Sequence, residues 1–372
     1  MKLTIERAAL LKALGHVQAV VERRNTIPIL SNVLITAGSS GASFAATDLD
    51  IEIQESADAH IDREGMATAP AHTLYEIARK LPEGADVTLE LDGDDPRLNL
   101  KAGRSSFSLP SLPPGDFPMM PAEDLQHSFQ LDNEQLAQLI DKTRFAVSTE
   151  ETRYYLNGIH LHAAEDGGRK TLRAVATDGH RLALSECDLP DGAAGMPAVI
   201  VPRKTVQEAR RLLEDGGESI QVSVSDGKIR FGLGRAVLTS KLIDGSFPDY
   251  ERVIPRDNQK MMVLENKRFA EAVDRVATIS IEKSRSVKLS LDDGTLTLAV
   301  NNPESGQAVE EVPVESEESG FAIGFNARYI LDVASQIEGD EARFHFADPA
   351  SPTLVTDSGD PDSLYVLMPL RV

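Results

Sequence analysis

The chain has 372 residues, 41% of them hydrophobic and 26% charged, with 38 Lys and Arg against 59 Asp and Glu for a formal net charge of −21. That is the balance of a soluble globular protein with material for two or three cores, and it excludes a surface that adheres to nucleic acid everywhere. Cys187 is the only cysteine, which excludes an internal disulfide and a multi-cysteine zinc site, and no apolar run reaches the ~18–20 residues of a membrane span.

In chain order, MKLTIERAALLKALG carries charges through its apolar positions, so a signal peptide is not expected and a cytoplasmic location is. Leu10, Leu14, Val17 and Val21 then share one helical face. A second helix, PAHTLYEIARKL from Pro70, leads to the alternating strand VTLEL at 87–91, and FSLPSLPPGDFPMM (107–120) closes the segment. The pattern then restarts. Leu136, Ile140, Thr143 and Val147 repeat the first face, behind Asp132 and Gln135 spaced as a capping box. PRKTVQEARRLL from Pro202 repeats the second helix, SIQVSV (219–224) the strand, and LTSKLIDGSFPDYERVIP (238–255) the exit. A third round has Phe269, Val273 and Val276, degraded at Ser280, then VKLSL (287–291), NARYILDVASQI from Asn326 and the terminal YVLMPLRV.

The three second helices stack without gaps. Leu74, Val206 and Ile330 align, as do Ile77, Ala209 and Val333, then Leu81, Leu213 and Ile337. Proline at the start of two of them fits the first helical turn, and LDGDD, SDGK and DDGT supply turns between strands. The expectation is α+β: three copies of one domain of roughly 124 residues, with boundaries at 1–122, 129–251 and 253–372.

Charge is unevenly spread. The six helical segments hold about 14 basic and about 12 acidic residues, a net near +2, so the remaining chain carries about −23. Arg203, Lys204, Arg210 and Arg211 form the densest cluster; Arg7, Lys12, Arg79, Lys80, Lys142, Arg144, Lys267, Arg268 and Arg275 spread the rest. Solvated helix faces favour such residues in any protein, and a polyanion passing the helices accounts for them equally.

Two clusters have the residue types of chemistry. TDGHRLAL places Asp178, His180 and Arg181 together, a carboxylate, an imidazole and a cation. No nucleophile of matching role stands nearby, so the segment reads as a groove wall rather than a catalyst. His160 and His162 alternate along RYYLNGIHLH, a predicted strand. Without Cys or Glu partners they make a poor zinc pair, and no metal or cofactor is expected. There is no GxxxxGK[ST] loop for ATP.

The order of RYYLNG (153–158), TDGHRLA (177–183), VPRK (201–204), SKLIDGSFPDYERVIP (240–255), NNPE (301–304) and YVLMPLRV resembles the bacterial DNA sliding clamps, the beta subunits of DNA polymerase III, over essentially the whole chain. The resemblance implies a noncatalytic processivity factor. Two chains would form a head-to-tail homodimer, a closed ring of six domains with helices inside and sheets outside, around duplex DNA. A separate clamp-loader ATPase would open it. The replicative polymerase alpha subunit, other polymerases and repair proteins would dock by short apolar motifs. Domain size agrees: six bodies of ~35 Å diameter leave a hole of about 35 Å, whereas three leave only about 5 Å, against a duplex roughly 20 Å across.

Carried over by matching positions, the peptide groove comprises Arg153, Leu156, Thr177, Gly179, His180, Arg181, Leu182, Pro248 and Val253, completed by Asn326, Tyr329, Val366, Met368, Pro369, Leu370 and Arg371. Arg181 and Arg371 are expected at its rim, bonding peptide carbonyls or a carboxylate. DNA contacts fall to Arg24, Tyr154, Tyr155, Arg203 and Lys204, whereas His72, Thr73 and Glu150 depart from the usual pattern. The dimer seam would join GRSSFSL (103–109), through Arg104, Phe107 and Leu109, to Thr278 and Ile279 and to the acidic Glu304 and Glu310. Two other readings remain at this point: a hydrolase or transferase using Asp178, His180 and Arg181, and a peptide-binding scaffold with no role on DNA.

Overall fold

The computed structural model describes residues 1–93, 96–121, 125–280 and 285–371. The end of the LDGDD turn, boundary residue 122 and the terminal Val372 lie outside the described residues. Six α-helices occur among the described residues: α1 (Arg7–Val17), α2 (Ala71–Lys80), α3 (Asn133–Asp141), α4 (Arg203–Leu212), α5 (Asn266–Ala277) and α6 (Ala327–Ala334). None is long and apolar enough to cross a membrane. The strand pairs are antiparallel.

The faces expected of the helices are the buried ones. Leu10, Leu14 and Val17 of α1 are fully enclosed, as are Phe269 and Val273 of α5, each burial being worth about 1.5–3 kcal/mol. The apolar stripe outruns the first helix of a copy. Val21, Thr143 and Val147 lie beyond the ends of α1 and α3 yet remain buried. Of the expected capping box, the Gln135 side chain accepts from the Asp132 N–H at 3.3 Å.

The prolines act one position earlier than expected. Pro70 is the residue before α2, with ψ 113, and Pro202 ends the strand Val199–Pro202. Each closes a strand and stands before the helix rather than inside its first turn, where its fixed φ serves both. In the third copy Asn326 takes this place, its side chain accepting from the Arg328 N–H at 2.9 Å.

The chain folds as two compact units. The first contains Met1–Leu136, Pro190–Pro197 and Lys204–Leu242. Its five-stranded sheet runs His60–Arg63, Lys2–Glu6, Asp86–Glu90, Arg97–Ala102, Ser105–Pro110. Its eight-stranded sheet joins strands from distant parts of the sequence, with Ala236–Lys241 hydrogen-bonded to Ile51–Ala57 and Leu238 opposite Ile53.

The second unit contains Ala137–Leu189, Ala198–Arg203 and Ile243–Val372. Its eight-stranded sheet makes the corresponding join between Arg181–Asp188 and Ser363–Leu367, with Leu182 opposite Val366. Its four-stranded sheet ends on Gly306–Pro313.

Gly158 shows how tightly the second unit is built. A Cβ there would fall 2.3 Å from the Val201 carbonyl oxygen, which lies across the pairing of Gly158–Asp166 with Val199–Pro202. Gly158→Ala is therefore expected to lower the unfolding free energy by about 1–3 kcal/mol, read from urea denaturation at constant m-value.

Candidate functional site

The segment after β-strand Arg169–Thr177 is a turn organised by one carboxylate. Asp178 Oδ1 accepts from the N–H groups of His180 (2.9 Å) and Arg181 (3.1 Å), and Oδ2 accepts from Arg181 Nε (3.2 Å). Asp178 therefore bonds the backbone and the guanidinium, and does not orient the imidazole. His180 is exposed, with its ring stacked on Tyr329 of α6 at 6.1 Å. Its carbonyl accepts from the Met368 N–H at 2.9 Å, which ties the turn to the C-terminal segment.

Arg181 is not the rim donor that its position suggests. It is 8% exposed. Nη1 donates to Asp332 and Nη2 to the Phe145 carbonyl at 2.7 Å, while the guanidinium lies 4.5 Å from the Tyr329 ring centre and 5.2 Å from that of Phe145. With Nε, Nη1 and Nη2 each bonded within the fold, the side chain fixes the turn, α6 and the segment after α3 together. Arg371 is exposed and stays at the surface.

Beside this turn is a cleft of about 270 Å³. Leu156, Leu182, Val366, Met368, Pro248 and Val253 give it apolar walls, and Arg153, Thr177, Gly179 and Arg181 border it. Tyr155 and Tyr250 also line it. Tyr155 was expected only at DNA, and Tyr250 was not expected at all. It sits two residues after Pro248 in SFPDYERV and packs with Val175, Leu182, Leu184 and Val366. An aromatic between two expected wall residues was the available signal. His180, Asn326, Tyr329, Pro369, Leu370 and Arg371 do not line this cleft; His180 and Tyr329 stack on each other, and the Leu370 N–H bonds the Gly324 carbonyl at 2.8 Å.

RYYLN is not a strand. Residues Glu151–Leu156 form a 3-10 turn, and the strand starts at Gly158. The turn leaves Tyr154 54% exposed, with Tyr155 edge-on to it at 5.8 Å. Arg153 is held by Glu150 at 2.8 Å, a hydrogen bond that raises the guanidinium pKa and lowers the carboxyl. At Gly179, φ is 88° and a Cβ would lie 2.5 Å from Arg153 Nη1, so only glycine leaves that wall in place.

His160 and His162 are a packed pair rather than ligands. His160 stacks on Phe247 at 4.6 Å and His162 meets the Tyr250 hydroxyl at 3.0 Å. Among the described residues no group of three His, Cys, Asp or Glu is arranged to hold a metal.

Several helix cations are also committed to the fold. Lys204 Nζ is held by the Val20 carbonyl (3.1 Å), Glu22 (2.5 Å) and Asp48 (2.7 Å). Burial opposes its charge, but these carboxylates outweigh that and raise its pKa. Arg211 donates to the carbonyls of Gly15 and His16, Arg7 to those of Ala78 and Arg79, and Lys142 to Gln336. Arg24 and Arg203 are exposed. At the expected seam Arg104 and Thr278 are exposed, Phe107 and Ile279 half-buried and Leu109 buried. Glu310 is taken by Arg275 at 2.6 Å, and Glu304 lies at the turn capped by Asn302.

The chain matches family models for the N-terminal (residues 1–121), central (130–249) and C-terminal (251–371) domains of the DNA polymerase III beta subunit. The chain belongs to the beta sliding clamp family. It is 65% identical to the beta sliding clamp of Caulobacter vibrioides and 37% identical to that of Escherichia coli K12, each over the full length of both chains. Among solved structures, the C. crescentus clamp with polyethylene glycol bound superposes with TM-score 0.98 at 65% identity, covering 100% of this chain and 99% of that one. The Bartonella birtlesii clamp bound to griselimycin gives 0.97 at 46%, covering both fully. The fold is thus three α+β clamp domains, and the family is one of noncatalytic processivity factors in DNA replication, which removes the hydrolase reading of Asp178, His180 and Arg181.

The histidine stack has a pH consequence. Burial, then the neighbouring His162, push the His160 pKa down from 6.5 to about 4. Between those values the unfolded chain takes a proton that the fold refuses, so stability should fall as pH drops from 6.5 and level off below 4. The loss from this group is at most about 3 kcal/mol. Urea unfolding at pH 4 to 7 should show that slope, and His160→Phe should flatten it, leaving the smaller contribution of His162.

Proposed function

We propose that two copies of this chain close head to tail into a ring around duplex DNA, and that the ring tethers replication and repair proteins by short apolar segments seated in the cleft beside Gly179. The observation that carries the tethering is the cleft itself. Its walls are Leu, Val, Met and Pro, its position is fixed by the buried Arg181, and Met368 adapts to more than one side chain. Relatives from B. birtlesii and Pseudomonas aeruginosa are solved with griselimycin bound, so clamps of this family take a ligand.

In this reading the domains are 1–122, 129–251 and 253–372, and the protein works in the cytoplasm with a separate ATPase as loader. Arg24, Arg203 and the exposed Tyr154 are the contacts best placed for DNA, since Arg suits phosphate and an exposed ring can stack on a base. Tyr155 serves the cleft as well as the DNA side, and Lys204, already neutralised by two carboxylates, contributes least. Weak contacts suffice, because a closed ring is retained by topology. Arg104, Phe107, Leu109, Thr278, Ile279, Glu304 and Glu310 form the seam, with the apolar members supplying most of the contact.

The test of the ring is topological. Loaded onto nicked circular plasmid by a clamp loader and ATP, the protein should stay on the circle and be lost when the DNA is cut once; equal retention on both forms would mean local binding instead. For the cleft, Gly179→Ala displaces Arg153 and should weaken an apolar clamp-binding peptide about tenfold, ~1.4 kcal/mol, in a fluorescence-polarisation titration, with retention on the circle unchanged.

A further inference from the structure

The segment Phe247–Val253 meets two different surroundings. Pro248, Tyr250 and Val253 line the cleft beside Gly179. The rings of Phe247 and Tyr250 also rest on His160 and His162, neither of which lines that cleft. The two histidines alternate along the strand Gly158–Asp166, so both project from one face of the sheet. Their rings lie 4.6 Å apart. His160 stacks flat on Phe247, 4.6 Å away and 3° from parallel, and the imidazoles flank Tyr250 at 6.4 and 5.8 Å. An apolar side chain would fill the same space without leaving a buried nitrogen unpaired, as His160 Nδ1 is among the described residues.

The hydrogen bonds fix the tautomer of His162. Its Nδ1 lies 3.0 Å from the Ala163 carbonyl, which can only accept, so Nδ1 carries the proton. Nε2 of the neutral ring is then an acceptor, and the Tyr250 hydroxyl, 3.0 Å away, donates to it. Arg173, opposite His162 on the neighbouring strand, donates to the same hydroxyl oxygen. The hydroxyl thus accepts from Arg173 and donates to His162, with both roles filled.

A proton on Nε2 would break this arrangement. An imidazolium has only donors, so the Tyr250 hydroxyl would face two cations and its own proton would lose its acceptor. The surroundings favour the neutral ring. Burial is the largest cause pushing the His162 pKa down; the Ala163 carbonyl and Glu251 oppose it, and Arg173 reinforces it. Arg173 is itself held by Glu186 at 2.5 Å, Glu251 at 3.4 Å and Asp166 at 3.9 Å. Arg256 and Asp362 complete the charged lining of the cavity that Arg173, Glu186 and Glu251 share. Toward the strand Val199–Pro202, His160 stands opposite Ile200, which carries no charge.

We propose that His162, neutral and with its proton on Nδ1, is a positioning residue for the peptide cleft. It anchors the Tyr250 hydroxyl outside the cleft while His160 acts as a flat spacer under Phe247, and together they hold the wall from Pro248 to Val253 in its binding geometry. This rests on the tethering reading and adds the support on which one wall depends. Tyr250 transmits that support directly, because its ring packs with Leu182 and Val366, which are also cleft walls. A peptide selects the neutral, seated state. Affinity is therefore complete above pH 6.5 and is lost as pH falls through the lowered His162 pKa.

The test is a fluorescence-polarisation titration of the full chain, from pH 7.5 to 5, with a capped apolar peptide that has no ionisable side chain and carries a pH-insensitive dye. The wild-type dissociation constant should rise about threefold or more over that range. His162→Ala should raise it about fivefold at pH 7.5. His162→Gln, whose amide oxygen can accept from Tyr250, should restore the affinity and bind equally at every pH. Tyr250→Phe keeps the ring and removes the hydroxyl, so it should flatten the profile too, and it decides the matter should a His162 variant fail to fold. A His162→Gln or Tyr250→Phe protein that keeps the wild-type slope puts the proton on another group, such as His180, and overturns the assignment. A flat wild-type profile with normal binding at pH 7.5 also overturns it, and leaves the cleft standing. A wild type that binds the peptide at no pH overturns both.

Discussion

The constraint on which this architecture depends is that a β-sheet has two edges, and each edge is a row of backbone groups seeking partners. Each unit answers it by borrowing a strand from far along the chain. Ala236–Lys241 covers the edge at Ile51–Ala57, and Ser363–Leu367 covers the edge at Arg181–Asp188. Hydrogen bonds alone would let such a join slip. The apolar alternation opposes slipping, since Leu238 faces Ile53 and Leu182 faces Val366, all buried. Cations at the helix ends add a second lock with a different geometry.

These locks explain how an acidic chain uses its few basic residues. Arg7, Lys142, Arg181 and Arg211 all donate to backbone carbonyls, and three of these receiving groups lie at or just past helix ends. A helix C-terminus carries partial negative charge and unsatisfied acceptors, so a cation there satisfies hydrogen bonds and electrostatics at once. Arg181 extends the principle to the cleft. By holding Asp178, Asp332 and the Phe145 carbonyl together it fixes three separate segments around one turn, and the apolar wall residues beside it inherit that rigidity.

Much of this was legible in the sequence, and the limits have a physical pattern. The helix faces could be read because burial has a period, and gapless alignment of Leu74, Val206 and Ile330 exposed the repeat. What periodicity cannot show is which partner a charge chooses. Arg181 looks like a ligand-binding arginine and Lys204 like a DNA-binding lysine, yet both have acids and carbonyls from distant segments around them. RYYLN has strand-like composition, but forms a helical turn ahead of the glycine at 158. Tyr250 was overlooked for the opposite reason. Its ring is part of a core cluster and also a cleft wall, and sequence reading tends to assign one role per residue.

Charge counting over the helices therefore overstates what is available to DNA. Subtracting the cations that cap helices lowers the net positive charge of the helices below the raw count. For the ring proposed above this would be an advantage, because tight phosphate contacts would arrest sliding, and the acid elsewhere in the chain would repel DNA. Retention and mobility conflict when both depend on affinity. In the proposed ring they would cease to conflict, since enclosure resists dissociation without resisting translation along the duplex. In the ring proposed above, the strength that matters would lie at the seam, which would have to open for loading and otherwise stay shut.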